Sequence, residues 1–539
     1  MSVVLLVTVV ALVLYKILSR KSSALKKSNR NGLRDVALLK PAPGPAKLPL
    51  IGNLHLLAKH ESPFQAFTEL ADEYGDIYSL QLGTEKCLVV NNLQLIREVL
   101  NQNGKYFGGR PDFLRFRQLF AGDRGNSLAL CDWSNLQQRR RNLARRHCGP
   151  KQHTDKFARI GTVATFEAIE LVQTLKDITS KTEASINIKP ILMTTAMNMF
   201  SHYMCNVRFD ADQDAEFKRI VDHFDEIFWE INQGYAVDFL PWLAPFYKKH
   251  MDKLSNWTQD IRSFILSRIV EQRESSLDLD KPETDFLDGL LRVLHDDPTV
   301  DRDTIIFMLE DFLGGHSSVG NLVMLCLVAV ARDPEVGRRV RAEIDCIAKG
   351  KRAVTLMDRP NMPYTEATIL ECLRYASSPI VPHVATENAS VAGYGVEKGT
   401  VVFINNYKLN TSEKYWDKPE QFDPTRFLEK TKLRVRRNSV GDSGMESDSE
   451  RNVHYSKSTD SEEEVYTVKK NIPHFLPFSI GKRTCIGQTM VTSMSFVMFA
   501  NIIQHFGIAA EKAEDLKQLP ACVALPKDTF NLYLIPRKN

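Results

Sequence analysis

FLPFSIGKRTCIG, residues Phe475 to Gly487, sets one cysteine, Cys485, among glycines and basic side chains. A cysteine that ligates haem iron must be a thiolate, held in a loop whose backbone comes close to the porphyrin and whose surroundings favour negative charge. Gly481 and Gly487 permit backbone geometry closed to residues with a Cβ, Lys482 and Arg483 bring positive charge, and Phe478 is a flat apolar group able to cover the sulfur. The alternative is a buried structural cysteine beside a turn.

The pattern F-x-x-G-x-R-x-C-x-G, met by Phe478, Gly481, Arg483, Cys485 and Gly487, resembles the haem-binding loop of the cytochrome P450 haem-thiolate monooxygenases. That resemblance implies a mainly α fold with a smaller β part, a triangular helical prism with a long central helix crossing the haem. It also implies haem b with Cys485 as axial ligand of the iron, dioxygen as co-substrate and electrons from NADPH through a reductase.

Working outward, Glu371 and Arg374 lie three apart in a predicted helix within Arg359–Ser377. On the residues alone this is a helical ion pair worth about a few tenths of a kcal/mol. In the family Glu-x-x-Arg is a buried pair locked to a later arginine, and PTRF, Pro424 to Phe427, supplies Arg426. Between them Pro382 and His383 resemble a position beside a haem propionate, with Ile380, Val381 and Val384 lining the pocket above the ring. The stretch Ala392–Asn410 reads as a hairpin with a glycine turn.

The segment from Thr304 to Pro334 reads as one long, apolar, buried helix without a cap in its middle. Gly314 and Gly315 cost that helix about 1 kcal/mol each, which predicts that something approaches the backbone there. The family's string is Ala/Gly-Gly-x-Asp/Glu-Thr; here it is Gly314, Gly315, His316, Ser317, Ser318. Splitting dioxygen needs protons, and a hydroxyl beside an acid is a common relay. Ser318 keeps the hydroxyl and Ser317 replaces the acid, so either His316, Asp311 or ordered water substitutes for the acid or the oxygen chemistry is unusual.

DWSNLQQRRRNLARRH, Asp132 to His147, reads as a strongly basic helix, and a solvated or membrane-facing surface accounts for such a run. The family's Trp-x-x-x-Arg reaches a haem propionate from here. Trp133 is followed four residues on by Gln137, so Arg140, seven residues on and on the same face, is the candidate replacement. Gly234–Phe246, interrupted by Pro241 and Pro245, would roof the substrate channel; a plain helix connection is the other reading. Residues 433–470 are dense in charge and poor in apolar side chains, which predicts a disordered surface insertion carrying kinase-like serines at Ser439, Ser447 and Ser449.

At the front, Val3 to Leu18 is apolar apart from Thr8 and Lys16, and basic residues follow it rather than precede it. That asymmetry favours an N-terminal membrane anchor at 1–20 with the remainder cytosolic over a cleaved signal peptide. A basic, proline-rich linker at 21–53 then leads to a catalytic domain at 54–539. Nine cysteines without paired spacing argue for a reducing compartment, and the balance of 70 basic against 66 acidic residues excludes a nucleic-acid binder.

More narrowly, GGHSSVGN, ECLRYASSPIVPHVATENA and FLPFSIGKRTCIGQ are similar to the spook and spookier group of arthropod P450 enzymes. The resemblance implies an endoplasmic-reticulum enzyme oxidising a 7-dehydrocholesterol-like sterol in ecdysteroid synthesis. Its expected partners are the membrane, NADPH-cytochrome P450 reductase and cytochrome b5. The alternatives are a general microsomal detoxifying or fatty-acid monooxygenase and, from another class, a haem-thiolate isomerase or an inactive haem-binding protein.

Overall fold

The computed structural model describes residues 39–210, 213–297, 300–437 and 459–537. The expected anchor therefore lies outside the described residues. From Pro41 the proline-rich stretch is docked on the body. Ser79 donates from its N–H to Pro43 O at 2.7 Å and from its hydroxyl to Ala42 O at 2.8 Å. A Cβ on Gly44 would stand 2.1 Å from Ser79 O, so only glycine lets the chain lie that close.

Helix α1, Pro63–Tyr74, starts where its sequence says it should: Ser62 and Gln65 form a reciprocal capping box, and proline fills the first turn. Strands β1, Ile77–Leu82, and β2, Glu85–Val90, form a hairpin, with Gly83 at φ +54° in the turn. The stretch 392–410 does not form one hairpin. Strands β4, Ala389–Val391, and β5, Tyr394–Val396, pair with each other, while β6, Val401–Ile404, joins the main sheet. That sheet runs β1-β2-β6-β3, with β3 at His383–Val384 and β6 parallel to β2. All four side chains of β6 are buried, which is why it takes an inner place rather than a solvent-faced hairpin.

Helices make up the larger part. In chain order they include α2 Leu114–Leu119, α3 Asn135–Cys148, α4 Asp155–Thr179, α5 Lys189–Cys205, α6 Ala215–Asn232, α7 Lys248–Ile265 and α8 Phe286–Asp296. They continue as α9 Arg302–Leu313, α10 His316–Arg332, α11 Pro363–Ala376 and α12 Gln488–His505. Fourteen residues of α10 are buried, and it packs on α5 and α12 at the centre. By length and composition 302–332 could cross a membrane, but here it is core.

The expected single long helix is two. At the joint Gly315 N–H bonds to Phe312 O, Ser317 N–H to Gly314 O and Ser318 N–H to Gly315 O, a tightened i to i−3 turn. The glycines are needed for side packing. A Cβ on Gly315 would lie 3.1 Å from the Phe200 ring of α5, and one on Gly314 3.4 Å from the Phe224 ring of α6.

Over this core lies the segment after α6, where Trp242 and Phe246 are 57% and 81% exposed. It is fastened from beneath by Arg115 of α2, whose guanidinium holds both Asp238 oxygens, the closest at 2.6 Å. The same group bonds Glu230 O at 2.6 Å and stacks 4.4 Å from the Tyr235 ring centre. A second buried pair, Lys189 with Asp225 at 2.6 Å, ties α5 to α6.

The insertion departs from its expectation at both ends. Strands β7, Leu428–Arg437, and β8, Thr459–Val468, pair antiparallel over ten residues. The register sets Lys432 opposite Glu464, Arg434 opposite Glu462 and Arg436 opposite Asp460. Charge density alone read as disorder; the ten-residue backbone ladder between the two strands is what that reading does not see. Residues 438–458, with all three kinase-like serines, lie outside the described residues.

Candidate active site

The cysteine loop is closed by its own backbone. Cys485 N–H donates to Phe478 O at 3.0 Å and Thr484 Oγ1 to the same oxygen at 3.2 Å. Gly481 has φ +76°, and a Cβ there would sit 2.3 Å from Leu100 O, so the turn admits glycine alone. Three residues beyond the cysteine, α12 begins. The N–H groups of Gly487 and Gln488 and the Arg141 charge favour a thiolate, although burial outweighs them and pushes the thiol up. Cys485 is nonetheless exposed. Desolvated by its surroundings yet exposed, it stands at the wall of a recess, the crevice in which a ligand could reach the sulfur.

Behind the loop stands the brace. Arg374 Nε and Nη2 grip the two Glu371 oxygens, each at 2.7 Å, and Arg426 Nε reaches Glu371 Oε1 at 3.3 Å. Glu371 and Arg374 are 0% and 1% exposed. Rings carry this rigidity forward: Trp416 packs at a tilt against Phe427 with centroids 5.4 Å apart, and Phe427 meets Phe475, the first residue of the loop, edge-on at 4.9 Å.

On one side of the loop buried cations converge. Arg483 Nη2 donates to Ala129 O and Cys131 O, while its Nε and Nη1 are buried without a partner. His383 donates from Nδ1 to Phe107 O at 2.7 Å, leaving Nε2 buried and unpartnered. Arg141 holds Thr484 O and has an orphaned Nε. Arg110, from FGGRP, binds the Val381 and Pro382 carbonyls. Burial and mutual repulsion press down on them: Arg110 and His383 are both driven well below their ordinary values. Buried donors in this number cost stability unless an anion meets them.

A sequence model described as Cytochrome P450 matches residues 41–533. The chain belongs to the cytochrome P450 family. It is 52% identical over 532 residues to "Cytochrome P450 307a1" of Drosophila melanogaster, covering 98% of this chain and 95% of that one. It is 28% identical over 482 residues to "Cytochrome P450 1B1" of Homo sapiens, covering 86% and 81%. It is also 28% identical over 528 residues to "Steroid 17-alpha-hydroxylase/17,20 lyase" of Rana dybowskii, covering 96% and 93%. The protein is a P450 monooxygenase, an oxidoreductase of the haem-thiolate type that uses dioxygen, with the mainly α fold of that family.

Haem fits the residues of this P450. A planar dicarboxylate set over Cys485 would meet the orphaned donors of Arg483 and Arg141 with its two propionates, and its negative charge would favour a proton on His383 Nε2. Trp133 lies beside this group, its ring 5.0 Å from Lys482 Nζ. Arg140 does not join it. Its guanidinium turns to Gly125 O and Thr304 Oγ1, and Arg141 faces the loop instead. Counting seven from Trp133 chose Arg140; counting four from Gln137, the residue that replaces the family's arginine, reaches Arg141. Gln137 itself is buried, donating to Leu128 O.

On the opposite wall Asp311, Gly314, Gly315 and Ser318 are part-exposed in the middle of otherwise buried helices, one face at i, i+3, i+4 and i+7. Ser318 thus keeps a hydroxyl on the crevice face. Ser317 does not: its Oγ is buried without a partner, and its carbonyl accepts from Asn321 Nδ2 at 2.8 Å. His316 also turns inward. Nδ1–H donates to Leu313 O at 2.6 Å, the ring meets Phe224 edge-on at 5.5 Å, and burial lowers its pKa to about 4. A neutral ring packed on α6 is a poor proton source. Asp311 is a better one, because burial raises it to about 7 against the hydrogen bonds from Leu128 N–H and Ser127. Arg110 and Arg141 were missed as site residues; for Arg141 the four-residue spacing 137–141 was the available signal.

Proposed function

We propose that Cys485 is the axial thiolate of haem b, that Arg483, Arg141, Arg110 and His383 hold its propionates, and that the substrate is a 7-dehydrocholesterol-like sterol oxidised in ecdysteroid synthesis. The observation that carries the substrate reading is the 52% identity to an insect P450 over 98% of the chain, joined to the spook-like motifs. A relative named for steroid hydroxylation supports it. When bound, haem supplies oxygen activation, with the thiolate favouring O–O cleavage. This chain's residues do the rest. The Arg115 clasp closes the roof and excludes water, Val381 and Pro382 shape one wall, and Ser318 and Asp311 hold protons on the crevice face.

Electrons come from NADPH through the membrane reductase, with cytochrome b5 as a second donor, and the half-buried Lys482 beside the cysteine loop adds positive charge to a docking face. The basic residues after the apolar N-terminal run support an endoplasmic-reticulum anchor with a cytosolic catalytic body.

Titration of the ferric holoenzyme with sterols tests the substrate. A low-to-high spin shift with 7-dehydrocholesterol, absent with lauric acid and with drug-like amines, is expected. The reverse pattern assigns a detoxifying or fatty-acid enzyme, and sterol binding without NADPH and oxygen consumption assigns an isomerase or binder.

Asp311→Asn is expected to lower sterol turnover about 10²-fold, at the low end for a general acid, while leaving the sterol spin shift unchanged. Ser317→Ala is expected to leave turnover within about twofold. Equal effects of the two would remove Asp311 from the relay.

A further inference from the structure

Helix α3 carries two different faces. Gln137, Arg141, Ala144 and Cys148 are buried on the side of the cysteine loop. Leu136, Arg140 and Leu143 instead line a separate cleft of about 1060 Å³, walled by α3, the turn into α4, α8 and the start of α9. That is at the upper limit for small-ligand pockets.

The cleft is apolar below and cationic at its rim. Leu143, Val293, Ile305 and Met308 lie in its lining, and Leu136, 41% exposed, stands at its edge. Six lining residues are Arg or Lys and two are Asp. These cations are poorly served. Arg139 reaches Asp297 only at 3.8 Å. Arg140 makes contacts of 3.3 and 3.4 Å, and its Nε is buried without a partner. Among the described residues Arg146 and Lys151 have no carboxylate within ion-pair distance.

This combination selects a ligand class. A bare anion would leave the apolar lining wet, and a neutral lipid would leave the cations unpaired. A metal cation is repelled, and with no aromatic residue in the lining a nucleobase has nothing to stack on. We propose that the cleft is a second ligand site, separate from the haem crevice, for an anionic amphiphile. Its chain lies on Leu143, Val293, Ile305 and Met308, and its carboxylate or phosphate is held by Arg139, Arg140 and Arg146. The source is a free fatty acid or an anionic lipid of the bilayer.

The test uses full-length holoenzyme whose haem crevice is saturated with an iron-ligating azole, so that binding there is blocked. Calorimetric titration with oleate is expected to give one site, at least tenfold tighter than oleyl alcohol. Val293→Trp, which puts an indole where the chain would lie, and Arg139→Glu with Arg146→Glu, both exposed, are each expected to weaken it at least tenfold. The ferrous carbon monoxide spectrum checks that each variant folds. In a second arm, phosphatidylserine is added to phosphatidylcholine vesicles. Charge-pair-dependent recruitment by phosphatidylserine, with no oleate binding, supports the site and assigns it to bilayer lipid. Oleate binding lost on azole addition with no such recruitment, equal binding of oleyl alcohol, or binding within twofold in the charge variant overturns the proposal.

Discussion

Cys485→Ala is expected to purify without haem and without monooxygenase activity, and its reduced carbon monoxide adduct is expected to lack the red-shifted Soret band of thiolate ligation. The sulfur is the only thiol in the Phe475–Gly487 loop, and its backbone is fixed from both sides by Phe478 O and the start of α12. Without metal, burial keeps the thiol protonated despite two N–H groups and Arg141. A coordinated metal reverses that balance, because it deprotonates a thiol outright. Alanine leaves the cationic cradle intact and removes only the metal bond, so any haem retained would report the cradle alone. A thiolate Soret band in Cys485→Ala would reassign the ligand.

Glu371→Gln is expected to prevent recovery of folded holoenzyme, read as loss of haem content and of cooperative thermal unfolding. Removing one charge from a buried, hydrogen-bonded pair costs about 3–5 kcal/mol, a large share of a total stability of about 5–15 kcal/mol. The loss is worse than pairwise. Glu371 also receives Asp423 N–H and Arg426, so the variant leaves two guanidinium groups short of their anion in the core. Glu335 and Arg338 give the internal control. They have the same i, i+3 spacing but are 52% and 67% exposed, and Glu335→Gln is expected to leave haem content and the unfolding temperature nearly unchanged. Equal effects at the two sites would remove the structural role assigned to Glu371.

That contrast shows where sequence reading stops. Both pairs look alike as letters; only the order of motifs, with PTRF following Glu-x-x-Arg and the cysteine loop after it, singled out Glu371. Elements with strong local signals were legible, such as the cysteine loop with Gly481 and the helix that carries Glu371 and Arg374. The glycine pair announced a close approach, but the rings that make it come from α5 and α6, over 85 positions away in sequence. Arg140 and Arg141 differ by one position in a helix, or about 100° in direction, and spacing from Trp133 alone could not choose between them. The serines of 316–318 were placed on a helix, yet which of them faces the crevice follows from the tightened turn at Gly314–Gly315. In β7 and β8 the facing strand decides order, and a charge count along one strand does not see it.

Arg115 also sets a timescale. Opening the roof pulls its guanidinium from Asp238, Glu230 O and Gln233 O and unstacks it from Tyr235. Water re-solvates both charges, so what is lost is a handful of bonds worth about 1 kcal/mol each, and the open form falls to about 1% or less. Ligand that can enter only through that fraction is captured more slowly by the same factor. Departure waits on the same rare event, so the clasp that delays capture equally lengthens the stay of whatever has been captured.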